Sequence, residues 1–319
     1  MKKVLLLSIL SFFLILDFNP LFSQQIPDFS LFRENVFLFN PAIAGTEQAM
    51  VGNISLRKQF SNINDAPFSA NLAFHTFIKD KNIGLGGYLF NDFTGPTGYT
   101  GLNFSFAYHI VFSEYRSGVS EYKALSFGMS ISAVQHRLNA NKIKLDQEID
   151  EALFRTRGSQ FFPDASFGIH YKSKRLFVSA SVPQLLHLDV PINGQNGEET
   201  RLKKMQHYFL MAGYRIFLEK NSKRPHELYF EPAVNMHYVI GAPPQAVIST
   251  RFGMDELFFV GAGYRSLATV VFEGGITINR NLNIFYAYDH AAGRSIRQDV
   301  GQTHEIGISY RFMREYWSY

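Results

Sequence analysis

The chain has no cysteine among its 319 residues. That excludes a disulfide framework, a thiolate metal site and a lipid attached through an N-terminal cysteine. Charge is also sparse: Asp, Glu, Lys and Arg together make up 18%, low for a soluble protein of this size. The net charge of +4 is modest, and no basic stripe gathers it, so a nucleic-acid partner is not expected. After residue 16 no apolar run approaches the ~20 residues that a membrane-spanning helix needs. Tryptophan occurs once, yet Phe occurs 32 times and Tyr 16 times, and aromatic residues reach 15%. Mean hydropathy is −0.07. A barrel with an apolar outside and a polar lumen averages to such a value.

The N-terminus has its own pattern. Lys2 and Lys3 precede an apolar run from Val4 to Leu16, a turn-prone stretch from Asp17 to Pro20, and the polar exit Ser23-Gln24-Gln25. That order is the order of a secretory signal peptide, with Ser23 a plausible cleavage position. The apolar run is too short for a retained spanning helix.

Downstream, apolar residues recur with period two. In Gly101–Phe112, Leu102, Phe104, Phe106, Tyr108, Ile110 and Phe112 share one face, and Asn103, Ser105, Ala107 and His109 share the other. In His304–Phe312, Ile306, Ile308, Tyr310 and Phe312 oppose Glu305, Gly307, Ser309 and Arg311. Such alternation puts lipid on one side and a crowded polar lumen on the other. About 14 such segments occur, an even number as single-chain bacterial barrels require. They span 49–59, 67–78, 83–90, 98–112, 122–137, 164–171, 175–183, 205–218, 227–240, 245–254, 257–265, 268–278, 282–289 and 303–313. Alternate connections are short, whereas 138–163, 184–204 and 290–302 are long. The expected fold is therefore an all-β, transmembrane, antiparallel up-and-down barrel with both termini in the periplasm. The expected domains are a signal peptide (1–23), a periplasmic N-terminal segment (24–48), an outer-membrane barrel (49–313) and a periplasmic tail (314–319). Outer-membrane lipid is the first partner this fold implies.

No residue set carries enzyme chemistry. Asp146, Glu148, Asp150 and Glu151 read as the wet side of a short helix whose apolar side is Ile143, Leu145, Ile149, Ala152 and Leu153. His304-Glu305 begins like a zinc-protease motif, but position 308 is Ile, and the segment is a strand. The ten His residues show no ligand spacing. Gly84, Gly86 and Gly87 lie within a strand with no following helix, so they form no phosphate loop. No Ser sits in a nucleophile elbow. Glu231 and Arg251 read as lumen filling that can pair across the lumen. No catalytic site, cofactor or metal is expected. Phe90, Phe177, Phe209 and Phe285 are expected to point inward.

The stretch Phe37-Leu38-Phe39-Asn40-Pro41-Ala42-Ile43-Ala44-Gly45-Thr46 precedes the first strand. Its Asn-Pro start and Gly45 indicate a bend. The wording resembles the opening phrase of the PorP/SprF family of Bacteroidetes membrane proteins. Further matches follow in order: Arg57 to Phe60 with Ala66-Pro67-Phe68, Gly84-Leu85-Gly86-Gly87, and Asn91-Asp92 with Gly95-Pro96. Then come Phe162-Pro163-Asp164 with Phe167-Gly168 and Tyr171, Phe285-Tyr286-Ala287-Tyr288-Asp289, and Gly301 with His304-Glu305-Ile306. The resemblance implies a link to type IX secretion and gliding motility. It implies as partners a secreted adhesin or filament protein and periplasmic or peptidoglycan-linked secretion components, and it carries over no catalytic residue. Asn40, Pro41, Ala42, Gly45, Asn91 and Asp92 stand as candidate residues for a lumenal plug or a partner contact. The contrasting expectation is a small-solute diffusion porin, since about 14 strands leave room for a narrow channel.

Overall fold

The computed structural model describes residues 29–113, 122–139, 159–186, 190–193, 199–202, 205–218, 227–240, 242–254, 257–266, 268–279, 281–291 and 301–312. The signal-peptide region, the acidic stretch with its expected helix, and the C-terminal tail lie outside the described residues.

The chain forms a closed antiparallel barrel of 14 staves. In chain order the strands are β1 (Val51–Lys58), β2 (Phe68–Ile78), β3 (Ile83–Thr94), β4 (Thr97–Ser113), β5 (Lys123–Leu138), β6 (Ser159–Lys172) and β7 (Leu176–Val182). A small hairpin follows, β8 (Val190–Asn193) and β9 (Glu199–Leu202), which pairs only with itself. The next stave is β10 (His207–Tyr214), continued after Arg215 by β11 (Ile216–Phe217). The wall resumes with β12 (Leu228–Val239), β13 (Gln245–Met254), β14 (Phe258–Arg265), β15 (Thr269–Ile278), β16 (Leu282–Ala291) and β17 (Thr303–Arg311). Neighbours in the chain pair throughout. Closure comes from β1 against β17, with Val51 opposite Arg311 and Lys58 opposite His304.

Burial is inverted relative to a water-soluble protein. Along β17, Thr303, Glu305, Gly307 and Ser309 are buried, while His304, Ile306, Ile308 and Tyr310 are exposed. Phe104, Ile131 and Ile248 are 59%, 68% and 68% exposed, whereas Asn103, Ser126 and Arg57 are 0%, 1% and 1%. Apolar side chains facing out around the whole wall need lipid, because water would charge each for its hydrophobic area. Ile306 lies in the middle of β17, beside Leu56 and Tyr286 on the outer face. Ile306→Arg should cost about 2–4 kcal/mol in a bilayer. Urea unfolding from lipid vesicles measures it, and an unchanged midpoint would place that face in water.

The strand positions follow the sequence pattern closely, with two extensions. β3 continues to Thr94, so Asn91 and Asp92 belong to a strand rather than to the loop expected there. The reason is a two-residue connection: Thr94 pairs with Thr97 across Gly95-Pro96, and Gly95 takes φ 58, which a glycine adopts without strain. β6 starts at Ser159 and pairs as far as Arg137 on β5. Pro163 masks the strand signal there, since proline is a strand breaker except where its missing N–H is not needed.

At one end of the barrel the connections are short, among them 79–82 and 173–175; the other end carries all the long ones together with the short links after β3, β12 and β14. β1 begins and β17 ends at the short-turn end.

Candidate functional site

An eight-stranded barrel fills its interior with its own side chains, whereas 16–18 strands leave an aqueous channel. Fourteen strands leave a space that wall side chains alone do not close. Residues 29–48 occupy it. Phe29, Leu31, Phe32, Phe37, Phe39, Asn40, Ala42, Ile43 and Ala44 are all buried, with Leu31, Ala42 and Ala44 at 0% exposure. From the sequence this stretch is expected at the periplasmic mouth of the barrel, as a lumenal plug or a partner contact. The structure puts it inside the barrel, where two short 3-10 turns, Val36–Leu38 and Pro41–Ile43, present its backbone to the wall.

The wall is shaped to receive that backbone and the Asn40 side chain. Gly84, Ala107, Gly128 and Gly168 are cross-strand neighbours in one row over β3, β4, β5 and β6. A Cβ at Gly84 would lie 1.9 Å from the Ala44 carbonyl oxygen, at Gly128 2.1 Å from the Ala42 nitrogen, and at Gly168 1.9 Å from Asn40 Oδ1. The Asn-Pro-Ala-x-Ala stretch therefore sits in a trough floored by missing side chains. Glycine weakens a strand interior by roughly 0.5–1 kcal/mol, a cost retained here for close backbone approach.

Asn40 fixes the position along the trough. Its Oδ1 accepts from the Ala42 N–H at 2.9 Å and caps the second turn. Its Nδ2 donates to Ser179 Oγ at 2.7 Å and to the Ile169 carbonyl at 3.0 Å. Pro41 occupies the first position of that turn, where its fixed φ is already suitable. Gly45, at φ 79, turns the chain away, and its N–H donates to His75 Nδ1. Above them Phe39 stacks on Phe209, which stacks on His237. Asn40→Ala removes the cap and the donor contacts to Ser179, Ile169 and, at 3.3 Å, the Ala180 carbonyl. It should loosen the plug by about 1–3 kcal/mol, read as faster backbone hydrogen exchange across 36–46.

Two buried ion clusters hold the rest. Near the long-loop end, Arg57 donates to Glu305 Oε2 at 3.1 Å and to Asp289 Oδ2 at 2.9 Å, and Arg265 also reaches Asp289 at 3.3 Å. Ser30 enters this cluster: both arginines donate to its hydroxyl, which donates to Asp289, and its N–H donates to Glu305. Nearer the short-turn end, Arg33 pairs with Glu231 at 3.1 Å and Glu34 with Arg251 at 2.7 Å. Arg251 also meets Glu273, and Glu231 also meets Arg215. Glu231 and Arg251 are thus cross-strand neighbours in register that engage other partners, and the plug bridges them. Burial and the adjacent Arg251 lower the Arg33 guanidinium to about 10, with Glu273, Glu231 and Glu34 opposing, so it stays charged at neutral pH. At the mouth Glu47 meets Arg311 at 2.8 Å. Burial would raise the Glu47 carboxyl, but Arg311, Lys172 and His75 outweigh it and hold it at about 2.

The family model for the type IX secretion system membrane protein PorP/SprF matches residues 21–310. The chain belongs to that family. Like other exported barrels of this architecture, this PorP/SprF member resides in the outer membrane. Its matched region takes in the plug together with nearly all of the wall. No curated protein matches the chain. Among solved structures it is similar to the outer membrane protein Omp33 of Acinetobacter baumannii, at 7% identity over 83% of this chain and 99% of that one, with TM-score 0.40. The P. putida toluene transporter TodX is similar at 11% identity over 88% and 95%, with TM-score 0.43. The monoaromatic hydrocarbon channel CymD is similar at 11% over 89% and 94%, with TM-score 0.46.

Of the residues singled out in the sequence of this PorP/SprF chain, Asn40, Pro41, Ala42 and Gly45 come together in the trough. Asn91 and Asp92 do not join them. Asn91 accepts from Thr100 on the outer face of β3, and Asp92 faces inward, where it accepts from Ser69. Sequence reasoning missed Ser30, Arg33, Glu34, Gly128 and Gly168. The available signal was small residues at inward positions of consecutive strands. Phe177, Phe209 and Phe285 do crowd the lumen, against Gly213, Phe39 and Gly275 respectively. Among the described residues no group of three or more His, Asp or Glu could hold a metal ion.

Proposed function

We propose that this barrel is a non-catalytic accessory of type IX secretion, supporting export or surface attachment of a cognate secreted adhesin or filament protein. Its short-turn end faces the periplasm and contacts periplasmic or peptidoglycan-linked machinery, and its long connections face outward, as outer-membrane barrels are generally arranged. The observation that carries this reading is the filled lumen. A barrel whose interior is occupied by its own chain, gripped by glycines and ion pairs, is built poorly for diffusion of small solutes. Family membership supplies the link to secretion.

Affinity purification from native outer membrane, with mass spectrometry of what accompanies the barrel, tests this. A large secreted protein together with secretion components is expected, as is loss of surface display of that protein on deletion. Recovery of the barrel alone, normal display after deletion and steady conductance of the unaltered protein in planar bilayers would instead make it a porin.

A further inference from the structure

Among the described residues the plug runs into the wall at one place along the chain, the link from residue 48 to β1. The wall is complete without the plug. Every stave is hydrogen-bonded to both neighbours, including β10 to β12 and β1 to β17, and the plug contributes no strand. The plug in turn satisfies much of its own backbone: Asn35 N–H donates to the Leu31 carbonyl, Phe39 and Asn40 to Val36, Ile43 to Asn40, and Thr46 to Ile43. An element that shares no ladder with its host can leave without breaking one.

The charges point the same way. Arg57, Arg215, Arg251 and Arg265 on the wall are matched by Glu231, Glu273, Asp289 and Glu305, and all eight have a partner on the wall itself. Deep in the lumen the plug adds Arg33 and Glu34, one of each sign and adjacent in sequence, while its third charge, Glu47, meets Arg311 at the mouth, where both side chains are about a third exposed and water can replace either. Departure of a single buried ion would strand its partner at about 3–5 kcal/mol. Departure of a neutral pair from a balanced wall does not, because Arg251 keeps Glu273 and Glu231 keeps Arg215. At the plug's C-terminal end stand Gly45 at φ 79 and Gln48 at φ 52, two positive-φ positions where the chain changes direction before β1.

We propose that the lumen is a peptide-binding site with a detachable resident. Residues 29–48 are its occupant in cis, and the vacated trough takes in trans a polypeptide stretch of the same chemistry. Such a stretch has an adjacent cation and anion to meet Glu231 and Arg251. After them comes an Asn-Pro-small-x-small sequence whose backbone lies on Gly84 and Gly128 and whose Asn side chain lies on Gly168. Selection is steric along the glycine row and electrostatic at the ion ladder, so bulk at the position of Ala42 forbids entry. This inference rests on the lumen alone and stands or falls apart from the secretion reading, which adhesin display tests.

The full-length protein carrying Ala42→Trp is reconstituted in planar bilayers, its folded state verified by heat-modifiable migration. A synthetic peptide of residues 29–48 is then added. The variant should conduct, and the peptide should close it. The same peptide carrying Ala42→Trp should need at least about tenfold more for half-closure. Should Ala42→Trp fail to fold, Arg33→Ala with Glu34→Ala adds no bulk and is tested in its place, where the peptide should abolish intermittent openings. A folded variant that stays closed overturns the proposal, since the resident then does not detach. So does a conducting variant that the two peptides block equally or not at all, since the trough then reads no sequence.

Discussion

Replacing Gly128 with leucine should turn a closed barrel into a conducting one. A Cβ at this position would lie 2.1 Å from the Ala42 nitrogen and 2.4 Å from the Pro41 carbonyl carbon. Both are backbone atoms, so no side chain can swing aside. The strand cannot retreat either, because β5 is hydrogen-bonded along its length to β4 and β6. Even modest overpacking of a core costs about 1–3 kcal/mol, and a whole isobutyl group here exceeds what small shifts absorb. The plug must therefore lift from the trough, and water follows into a lumen lined by serines, asparagines and ion pairs. Discrete conductance steps in planar bilayers are the expected reading, from a variant that remains folded. Gly274→Leu is the control. It faces outward on β15, and the nearest atom to its Cβ is the Phe259 carbonyl oxygen at 3.5 Å, so it should stay closed. A folded but silent Gly128→Leu barrel would mean that something other than the seating of residues 40–44 closes the lumen.

The second large effect is expected at Arg57, which is 1% exposed and donates to Ser30, Glu305 and Asp289. Arg57→Ala leaves the Glu305 carboxylate buried, with hydrogen bonds from Ser30, Leu31 and Asn35 but no cation paired to it. Asp289 retains Arg265. Breaking one side of a buried ion pair costs about 3–5 kcal/mol, more than the net worth of the pair, because the orphaned charge has lost its water as well. Urea unfolding from vesicles should show that loss. Arg57→Met combined with Glu305→Gln should lose less than the sum of the single changes, the signature of residues in direct contact. A loss under about 1 kcal/mol for Arg57→Ala would indicate that water reaches this cluster.

The wall was legible in the sequence, and the seat of its occupant was not. Whether a residue faces lipid or lumen depends on its parity within its own strand, and that parity is printed locally: Ile306, Ile308 and Tyr310 against Glu305, Gly307 and Ser309. Period two survives any uncertainty about neighbours, which is why strand positions differ from the expected spans mainly at Thr94 and Ser159. There a two-residue turn and an in-strand proline disguise the ends. The Asn-Pro-Ala-x-Ala-Gly stretch was visible as a bend and as a candidate plug or partner contact, and nothing local could choose between the two.

That was decided by contacts between distant positions. Asn40 meets Gly168, and Ser30 meets Asp289 and Glu305, at separations of more than a hundred residues. Gly84, Gly128 and Gly168 look like three unrelated weak points until strand register aligns them in one row. Arg57 chooses Asp289, and Arg251 chooses Glu34 and Glu273 over its cross-strand neighbour Glu231, because the curvature of the closed barrel sets which charges share the interior. The sequence by itself determined a lipid-facing sheet, through the sign of each residue's preference for water. Only tertiary closure determined that the sheet has an inside, how wide it is, and that the chain's own residues 29–48 are what it holds.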